Sequence, residues 1–101
     1  MVAEYICYHV ATDQREALVA AYRQAAAELD AAPECLGYEL AECEEEAGHF
    51  ILRIEWTSTE AHLQGFRKGP QFPGFFAPIK GFFSNIQEMR HYRLTDVVRR
   101  K

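Results

Sequence analysis

The stretch "HFILRIEWT", His49 to Thr57, decides the fold class of this chain. Its residues alternate between two sides with the two-residue period of a β-strand. One side is apolar and consists of Phe50, Leu52, Ile54 and Trp56. The other side is mixed and consists of Ile51, Arg53 and Glu55. The sequence therefore predicts a strand that packs one face into a core and presents a half-polar face on its other side.

The segment just before this strand is typical of its hairpin partner. "CLGYELAEC", Cys35 to Cys43, alternates between apolar residues and residues that are small or charged. The apolar set is Leu36, Tyr38 and Leu40, and we expect these side chains on one face. The acidic turn "EEEAG" joins the two segments, and its Gly48 suits a hairpin.

The start of the chain predicts a strand followed by a helix. "YICYHVA", Tyr5 to Ala11, is rich in β-branched and aromatic residues and suits a strand that is apolar on both faces. Asp13 then stands three residues before Glu16, which is the spacing of a capping box. Pro33 disfavours helical backbone just before it, so the helix should end near Asp30. The apolar stripe of this helix is Leu18, Tyr22, Ala25 and Leu29.

The last third of the chain is dominated by phenylalanine. "QFPGFFAPIKGFF", Gln71 to Phe83, holds five of the seven phenylalanines, and two prolines and two glycines interrupt it. A short helix that is capped by Ser58 or Thr59 and runs through Phe66 should precede it, and a second short helix should begin near Pro73. The phenylalanine rings either belong to the core or wall a pocket for a flat apolar ligand.

A closing strand completes the order of elements. "NIQEMRHYRLT", Asn85 to Thr95, is typical of that strand. The order strand, helix, strand, strand, helix, strand predicts the ferredoxin-like α+β fold, a four-stranded antiparallel sheet with helices on one face. We expect one domain over residues 1–95 and a basic, solvated tail over residues 96–101. The other face of the sheet is too mixed to be a simple surface and too charged to be a simple core, which predicts a homodimer that covers it.

Length and charge exclude several classes of protein. A chain of 101 residues forms one domain, and its net charge of −4 argues against nucleic acid as a partner, because phosphate binding needs a basic surface. No apolar run approaches the roughly 20 residues that span a bilayer, and Glu4 and His9 interrupt the segment that would be apolar in a signal peptide. We therefore expect a cytoplasmic protein without a membrane partner. Three cysteines outside any common ligand spacing indicate free thiols.

The stretch "ILRIEWTSTEAHLQGFRKGPQF", Ile51 to Phe72, resembles the antibiotic biosynthesis monooxygenase family of the dimeric α+β barrel superfamily. The shared pattern is a strand that ends in Glu-Trp, a Ser/Thr start, a short helix and a Gly-Pro-x-Phe step. In length and element order the resemblance extends over residues 4–95. The segments "CLGYEL", "LRIEW", "GFRKGPQF" and "EMRHY" are more similar to members of the family that are joined to truncated globins in some bacteria.

This resemblance implies a homodimer with one pocket per subunit. It also implies the chemistry of characterised relatives, which oxygenate polycyclic phenols or quinols without metal, flavin or haem, so we expect this chain to oxidise an aromatic phenol or hydroquinone with O₂. An electron-rich phenolate can itself give an electron to O₂, so the protein has to bind it, take its proton and exclude water. Many relatives carry a histidine where this chain has Phe66, and His62 stands one turn earlier. The asparagine, tryptophan and histidine of haem-degrading members are unmatched, because the only Asn is Asn85 and the only Trp is Trp56, on a strand.

A pocket for such a substrate needs an apolar slot and a few polar groups. As substrate-binding residues we predict Tyr8, Arg53, Glu55, Trp56, Phe66, Phe72 and Phe76. Each has a structural alternative, because the aromatic rings can be core packing and Arg53 and Glu55 can form an ion pair at a surface or dimer interface.

As the catalytic base we predict His91, because the arginines near it would lower its pKa and keep its imidazole neutral and able to accept a proton. The alternatives are His9, His62 and Glu55. We expect no metal and no cofactor. Two other functions are compatible with the sequence: a non-catalytic dimeric binding module for an aromatic molecule, for haem or for a globin partner, and a structural dimer whose pocket is vestigial.

Overall fold

The computed structural model describes residues 1–101 and contains one four-stranded sheet. The strands are β1 (Val2–His9), β2 (Cys35–Glu42), β3 (His49–Trp56) and β4 (Ile86–Arg93). Their spatial order is β2-β3-β1-β4, and every neighbouring pair is antiparallel. This arrangement confirms the ferredoxin-like α+β fold that the order of elements predicts.

The first helix, α1 (Arg15–Ala31), covers one face of the sheet with the expected apolar stripe, which is buried over its whole length. The helix ends because Ala32, just before Pro33, takes an extended conformation. The predicted capping box is wrong. Asp13 lies inside a short 3₁₀ turn, Thr12–Gln14, and no side chain caps the helix start.

The phenylalanine-rich region forms short helical pieces. The hydroxyl Oγ of Ser58 accepts a hydrogen bond from the Ala61 N–H at 2.9 Å and so caps a helical stretch that begins at Thr59 and continues as a π-helical segment, Ala61–Phe66. A second helix, α2 (Phe72–Ile79), follows it and continues into a 3₁₀ turn, Lys80–Asn85. No helix of the structure has both the length and the apolar composition that crossing a bilayer requires.

The core lies between the sheet and these helices. The apolar side of β3, from Phe50 to Trp56, is fully buried, as its alternation predicts. The stripe of α1 packs against it together with Phe66, Phe75 and Ile79. Burying a large apolar side chain contributes about 1.5–3 kcal/mol, so this layer supplies most of the fold's stabilisation.

Two details of the hairpin between β2 and β3 refine the expected pattern. Gly48 has a positive φ of 86°, and a Cβ at this position would collide with the carbonyl oxygen of Val10, so only glycine suits the turn. Leu36, expected on the apolar face with Tyr38 and Leu40, is 48% exposed instead. The pairing register shifts between Cys35 and Gly37, so a β-bulge removes Leu36 from that face.

The sheet face opposite the helices is only partly covered. Tyr5 packs edge-on against Tyr92, and the Nε–H of Arg53 donates a hydrogen bond to the Tyr5 hydroxyl at 3.1 Å. The basic tail, residues 96–101, is exposed throughout, and Arg100, whose side chain is 73% exposed, donates to Glu55 Oε1 at 2.7 Å. The C-terminal segment therefore reaches back to the open face.

Candidate active site

A mostly apolar cavity of about 180 Å³ lies between the sheet and the phenylalanine-rich helices. Its apolar lining is Ile6, Ile54, Phe72, Phe75, Phe76, Ile79, Phe83, Ile86 and Met89. Its other lining residues are Glu4, Tyr8, Tyr22, Trp56, His62 and Arg67. An apolar cavity of about 150 Å³ is enough for benzene, so this space matches one aromatic ring with small substituents.

Strand β1 gives the cavity its two polar ends. Alternation along the strand points Glu4, Ile6 and Tyr8 toward the helices, with Ile6 in the middle. Glu4 and Tyr8 are four residues apart, which corresponds to about 13 Å of strand. An acidic group and a phenol therefore mark opposite ends of an apolar slot.

A carboxylate and two imidazoles form the polar cluster at the first end. Trp56 donates its indole N–H to Glu4 Oε1 at 3.0 Å, and His62 Nε2 lies 3.6 Å from the same oxygen. The other nitrogen of that ring, His62 Nδ1, lies 2.8 Å from His91 Nε2. Glu4 is only 1% exposed and His62 is also buried. The three side chains thus form a chain in the order Glu4, His62, His91.

The π-helical segment positions His62 within this chain. The N–H of Arg67 donates to the carbonyl of His62 at 3.0 Å, a bond that spans five residues instead of the four of an α-helix. The imidazole stacks on Trp56 with 4.4 Å between ring centroids and 10° between planes. This stacking fixes the ring so that its two nitrogens face Glu4 and His91.

Burial sets the charge states of the cluster. It lowers the pKa of His62 to about 3, and the positive charge of Arg67 and the neighbouring His91 act in the same direction. Burial and Arg67 also lower the pKa of His91. Burial raises the pKa of Glu4, while the Trp56 hydrogen bond and Arg67 oppose that rise. Both imidazoles are therefore neutral at pH 7, and each can accept a proton.

Two hydrogen-bonded phenols form the other polar end. The hydroxyls of Tyr8 and Tyr22 bond to one another, and burial raises the pKa of both. Whichever hydroxyl donates, one hydroxyl hydrogen of the pair stays free for a further acceptor. The pair can therefore donate a hydrogen bond to an oxygen of a ligand in the cavity.

Most of the predicted aromatic site residues lie at this cavity. Tyr8, Trp56, Phe72 and Phe76 line it. Phe66 does not line it but is fully buried behind the lining, with its ring 4.9 Å from Trp56 and 5.9 Å from Phe72. It acts as support for the cavity wall.

The predicted polar residues Arg53, Glu55 and His91 lie outside the wall of this cavity. Arg53 and Glu55 do not line the cavity, because strand alternation directs them to the open face, where they bond to each other at 2.7 Å. His91 does not line it either, and it touches the cavity only through His62. The alternative His62 does line it. His9 is exposed and lies 4.0 Å from Glu46, away from the cavity.

Three polar residues of the cavity wall, Glu4, Tyr22 and Arg67, were not among the predicted residues or their alternatives. Glu4 is an acidic residue within an apolar strand, and that contrast is a usable sequence signal. Tyr22 is the one hydroxyl-bearing residue in the buried stripe of α1. No such signal marks Arg67, because it is an exposed residue in the turn directly after the π-helical segment. This turn places it at the cavity wall.

The same three titratable side chains could also be considered as metal ligands. Glu4, His62 and His91 each bring a ligand atom within 4.8 Å of the others, and two imidazoles with one carboxylate form a known ligand set for zinc and iron. A shared metal needs lone pairs that converge on one point. Here His62 directs one nitrogen toward His91, at hydrogen-bond distance, and the other toward Glu4, 3.6 Å away, so the three groups form a row and do not surround one point.

Comparison with known proteins identifies relatives of this chain by sequence. The sequence profile described as "Antibiotic biosynthesis monooxygenase" matches residues 1–77. The uncharacterized protein YczJ of Bacillus subtilis is 26% identical over 93 residues, which cover 92% of this chain and 98% of YczJ.

Solved structures share the fold at lower identity. A candidate antibiotic biosynthesis monooxygenase from Bordetella bronchiseptica superposes with a TM-score of 0.75 at 20% identity, over 93% of this chain and 96% of that one. Another from Deinococcus radiodurans gives a TM-score of 0.74 at 16% identity, over 100% and 99% of the two chains. At these identities the superpositions establish the fold.

Proposed function

The chain belongs to the antibiotic biosynthesis monooxygenase family, and we propose that it oxidises a one-ring phenol or hydroquinone with O₂ in the cavity beneath α2. The observation that carries this proposal is an apolar slot of single-ring size with a buried carboxylate next to a neutral imidazole at one end. Family membership supports the monooxygenase class, and the cavity supports the substrate class.

The size of the cavity favours a small substrate over the alternative ligands. A space of about 180 Å³ accommodates one substituted ring and is too small for the four pyrrole rings of haem. The polar ends suit a ring that carries oxygen atoms at opposite positions, one near Glu4 and one near the hydroxyls of Tyr8 and Tyr22. A 1,4-hydroquinone has that shape.

The reaction begins with the loss of a proton from the substrate. The O–H bond of the hydroxyl near Glu4 breaks, and its proton forms an O–H bond on the Glu4 carboxylate. Glu4 replaces His91 as the proposed first acceptor, because Glu4 lines the cavity and His91 does not. The positive charge of Arg67 at the cavity stabilises the resulting phenolate.

The phenolate then supplies all the electrons that the oxygenation needs. It gives one electron to O₂, and the two radicals combine at a ring carbon to form a peroxide. Cleavage of its O–O bond leaves one oxygen atom on the ring and releases the other as water. Hydroquinone and O₂ thus become hydroxyquinone and water, and the apolar wall of phenylalanines excludes solvent from the intermediate.

Oxygen uptake tests this proposal directly. We expect the purified protein with EDTA to consume O₂ with one-ring hydroquinones faster than a heat-denatured control, and one atom from ¹⁸O₂ should enter the product. Anthrones, with three fused rings, should not turn over. Oxygen uptake no faster than the control across the whole panel of hydroquinones would contradict the proposal, and loss of activity on adding EDTA would contradict its independence of metal.

Cavity size offers a second check. Phe76→Ala removes a half-buried ring from the lining, so it should extend turnover to two-ring hydroquinones. Phe82→Ala is the matched control, since Phe82 is also half-buried but does not line the cavity.

The similarity to family members that are joined to truncated globins remains a prediction, and a globin would be a source of O₂ for the same chemistry.

A further inference from the structure

We propose that His62 and His91 carry protons between Glu4 in the cavity and an outer groove beside β1 and β4. This inference rests on the proposed function and extends it, because it assigns a route for the proton after Glu4 has accepted it. It also gives His91 a role that does not require contact with the substrate.

The first observation is the isolation of Glu4. Its carboxylate is 1% exposed, and its closest side-chain neighbours are the Trp56 indole and His62. The indole N–H can only donate, so it cannot accept a proton from Glu4. The guanidinium of Arg67 has N–H donors and no acceptor, so it cannot take the proton either. His62 is therefore the group through which a proton on Glu4 can leave.

The second observation is that His91 lies at the surface end of the row Glu4, His62, His91. His91 is half-buried and lines a separate groove at the molecular surface together with Thr57, Ser58 and Arg93. Glu4 and His62 line the inner cavity, whereas His91 is absent from its wall. The contact of 2.8 Å between His62 and His91 is therefore the link between an inner and an outer space.

The third observation is the orientation of His62. A neutral imidazole carries one N–H and one free lone pair, so it can accept a proton at one nitrogen while it releases another from the opposite nitrogen. In the outward step, Glu4 gives its proton to His62 Nε2, and the proton on Nδ1 passes to His91 Nε2. The resulting His91 imidazolium then releases its Nδ1 proton into the groove.

The overall reaction requires the reverse step as well. Oxygenation takes a proton from the substrate first and consumes a proton later, when the peroxide releases water. In the inward step His91 takes up a proton from the groove at Nδ1 and passes its Nε2 proton to His62 Nδ1, while His62 Nε2 returns a proton to Glu4. One outward and one inward transfer leave His62 in its starting tautomer, so the route is restored after every turnover.

Rescue by a small base distinguishes a proton route from structural support. In the full-length protein, His91→Ala should lower turnover about 10²-fold, at the low end for a positioned proton-transfer group. Added imidazole should enter the vacated space from the groove and restore much of the rate. Thiazole has a similar shape but is far less basic, so it should not. Equal recovery with both compounds would overturn the proposal, because it would show that the space only needs to be filled.

A second variant covers the possibility that His91→Ala misfolds. His91→Gln keeps a hydrogen-bond partner for His62 but cannot pass a proton on, so it should be as slow as His91→Ala and insensitive to imidazole. His9→Ala, at an exposed histidine of β1, is the matched control and should keep wild-type turnover. Wild-type turnover in His91→Gln would overturn the proton route while the proposed function survives. The failure of the proposed function itself would appear differently, as a wild-type protein that consumes no O₂.

Discussion

At the scale of single residues, the buried Glu4 is the feature that a purely structural protein would avoid. Its ionised form is removed from water, and that desolvation is only partly offset by the Trp56 N–H and by the positive charge of Arg67. A residue that weakens the fold at neutral pH and lines a cavity is a candidate for chemistry. Replacing Glu4 should therefore lower the activity without lowering the stability of the fold.

We predict that Glu4→Gln is at least as stable as the wild type at pH 7 and 10²–10⁴-fold less active. Because the folded pKa of Glu4 lies above 4.5, its favourable contribution exists below that pH and is lost as the pH rises through the folded pKa. Glutamine keeps an oxygen for the Trp56 N–H and carries no charge. Urea unfolding at pH 7 and pH 4 measures the difference, which should shrink at the lower pH. A markedly destabilised Glu4→Gln at pH 7 would show that the carboxylate stabilises the fold.

His62 should impose the opposite pH dependence. Its pKa is about 3 in the folded protein against 6.5 ordinarily, so below pH 6.5 the unfolded chain binds a proton that the folded chain lacks. The free energy of unfolding therefore decreases as the pH is lowered from 6.5 to 3, by up to about 1.4 kcal/mol per pH unit. His62→Gln should flatten this slope in urea unfolding, and His9→Gln, the exposed control, should not. Parallel curves for wild type and His62→Gln would contradict the assignment.

The sequence reveals the candidate site only in part, for a physical reason. Alternation predicts which side of a strand Trp56 occupies, but it does not predict where a helix places His62, because that depends on the π-type turn and on stacking across 4.4 Å. His91 has the lowered pKa that the sequence predicts, but burial and Arg67 cause it instead of the neighbouring arginines of β4, and its contact is His62. Long-range packing decides such contacts.

At the scale of elements, periodicity predicts most of the fold. The stripe of α1 and the two sides of β3 follow directly from residue spacing, because burial of one face is the dominant stabilising term. The errors arise where a local backbone choice competes with the pattern. The β-bulge at Leu36 and the 3₁₀ turn that contains Asp13 both shift a residue out of its periodic position.

The rings of the phenylalanine-rich α2 all line the cavity but differ in how deeply they are buried. Phe75 is buried against Phe66 and Tyr22, at centroid distances of 5.3 and 6.3 Å, whereas Phe76 is half-buried and stacks on Phe72. We predict that Phe75→Ala costs about 3–5 kcal/mol of stability and that Phe76→Ala costs clearly less. Thermal and urea unfolding of both variants measure this. Equal losses would mean that both rings serve the core alone.

At the scale of the whole molecule, the two faces of the sheet differ in how they are completed. The helices cover one face and enclose the cavity, while the other face presents Ile51 and Tyr92, which are 37% and 45% exposed. Arg53 bonds to Glu55 on this face and lies 3.7 Å from Glu39, so apolar and charged groups alternate across it. Such a face is typical of a surface that pairs with another protein surface.

We predict that this open face joins two copies of the chain into a homodimer. A two-fold axis through the face would bring apolar groups such as Ile51 and Tyr92 of the two copies together, while ion pairs such as Arg53 with Glu55 stay satisfied within each copy. Sedimentation at low micromolar concentration should then give about twice the chain mass of 11.6 kDa. Ile51→Lys buries a charge in the interface and should yield monomers, whereas Gln24→Lys, on the exposed side of α1, should not. A wild-type protein that sediments as a folded monomer would contradict this prediction. It would show that the short C-terminal segment around Arg100 covers the open face sufficiently.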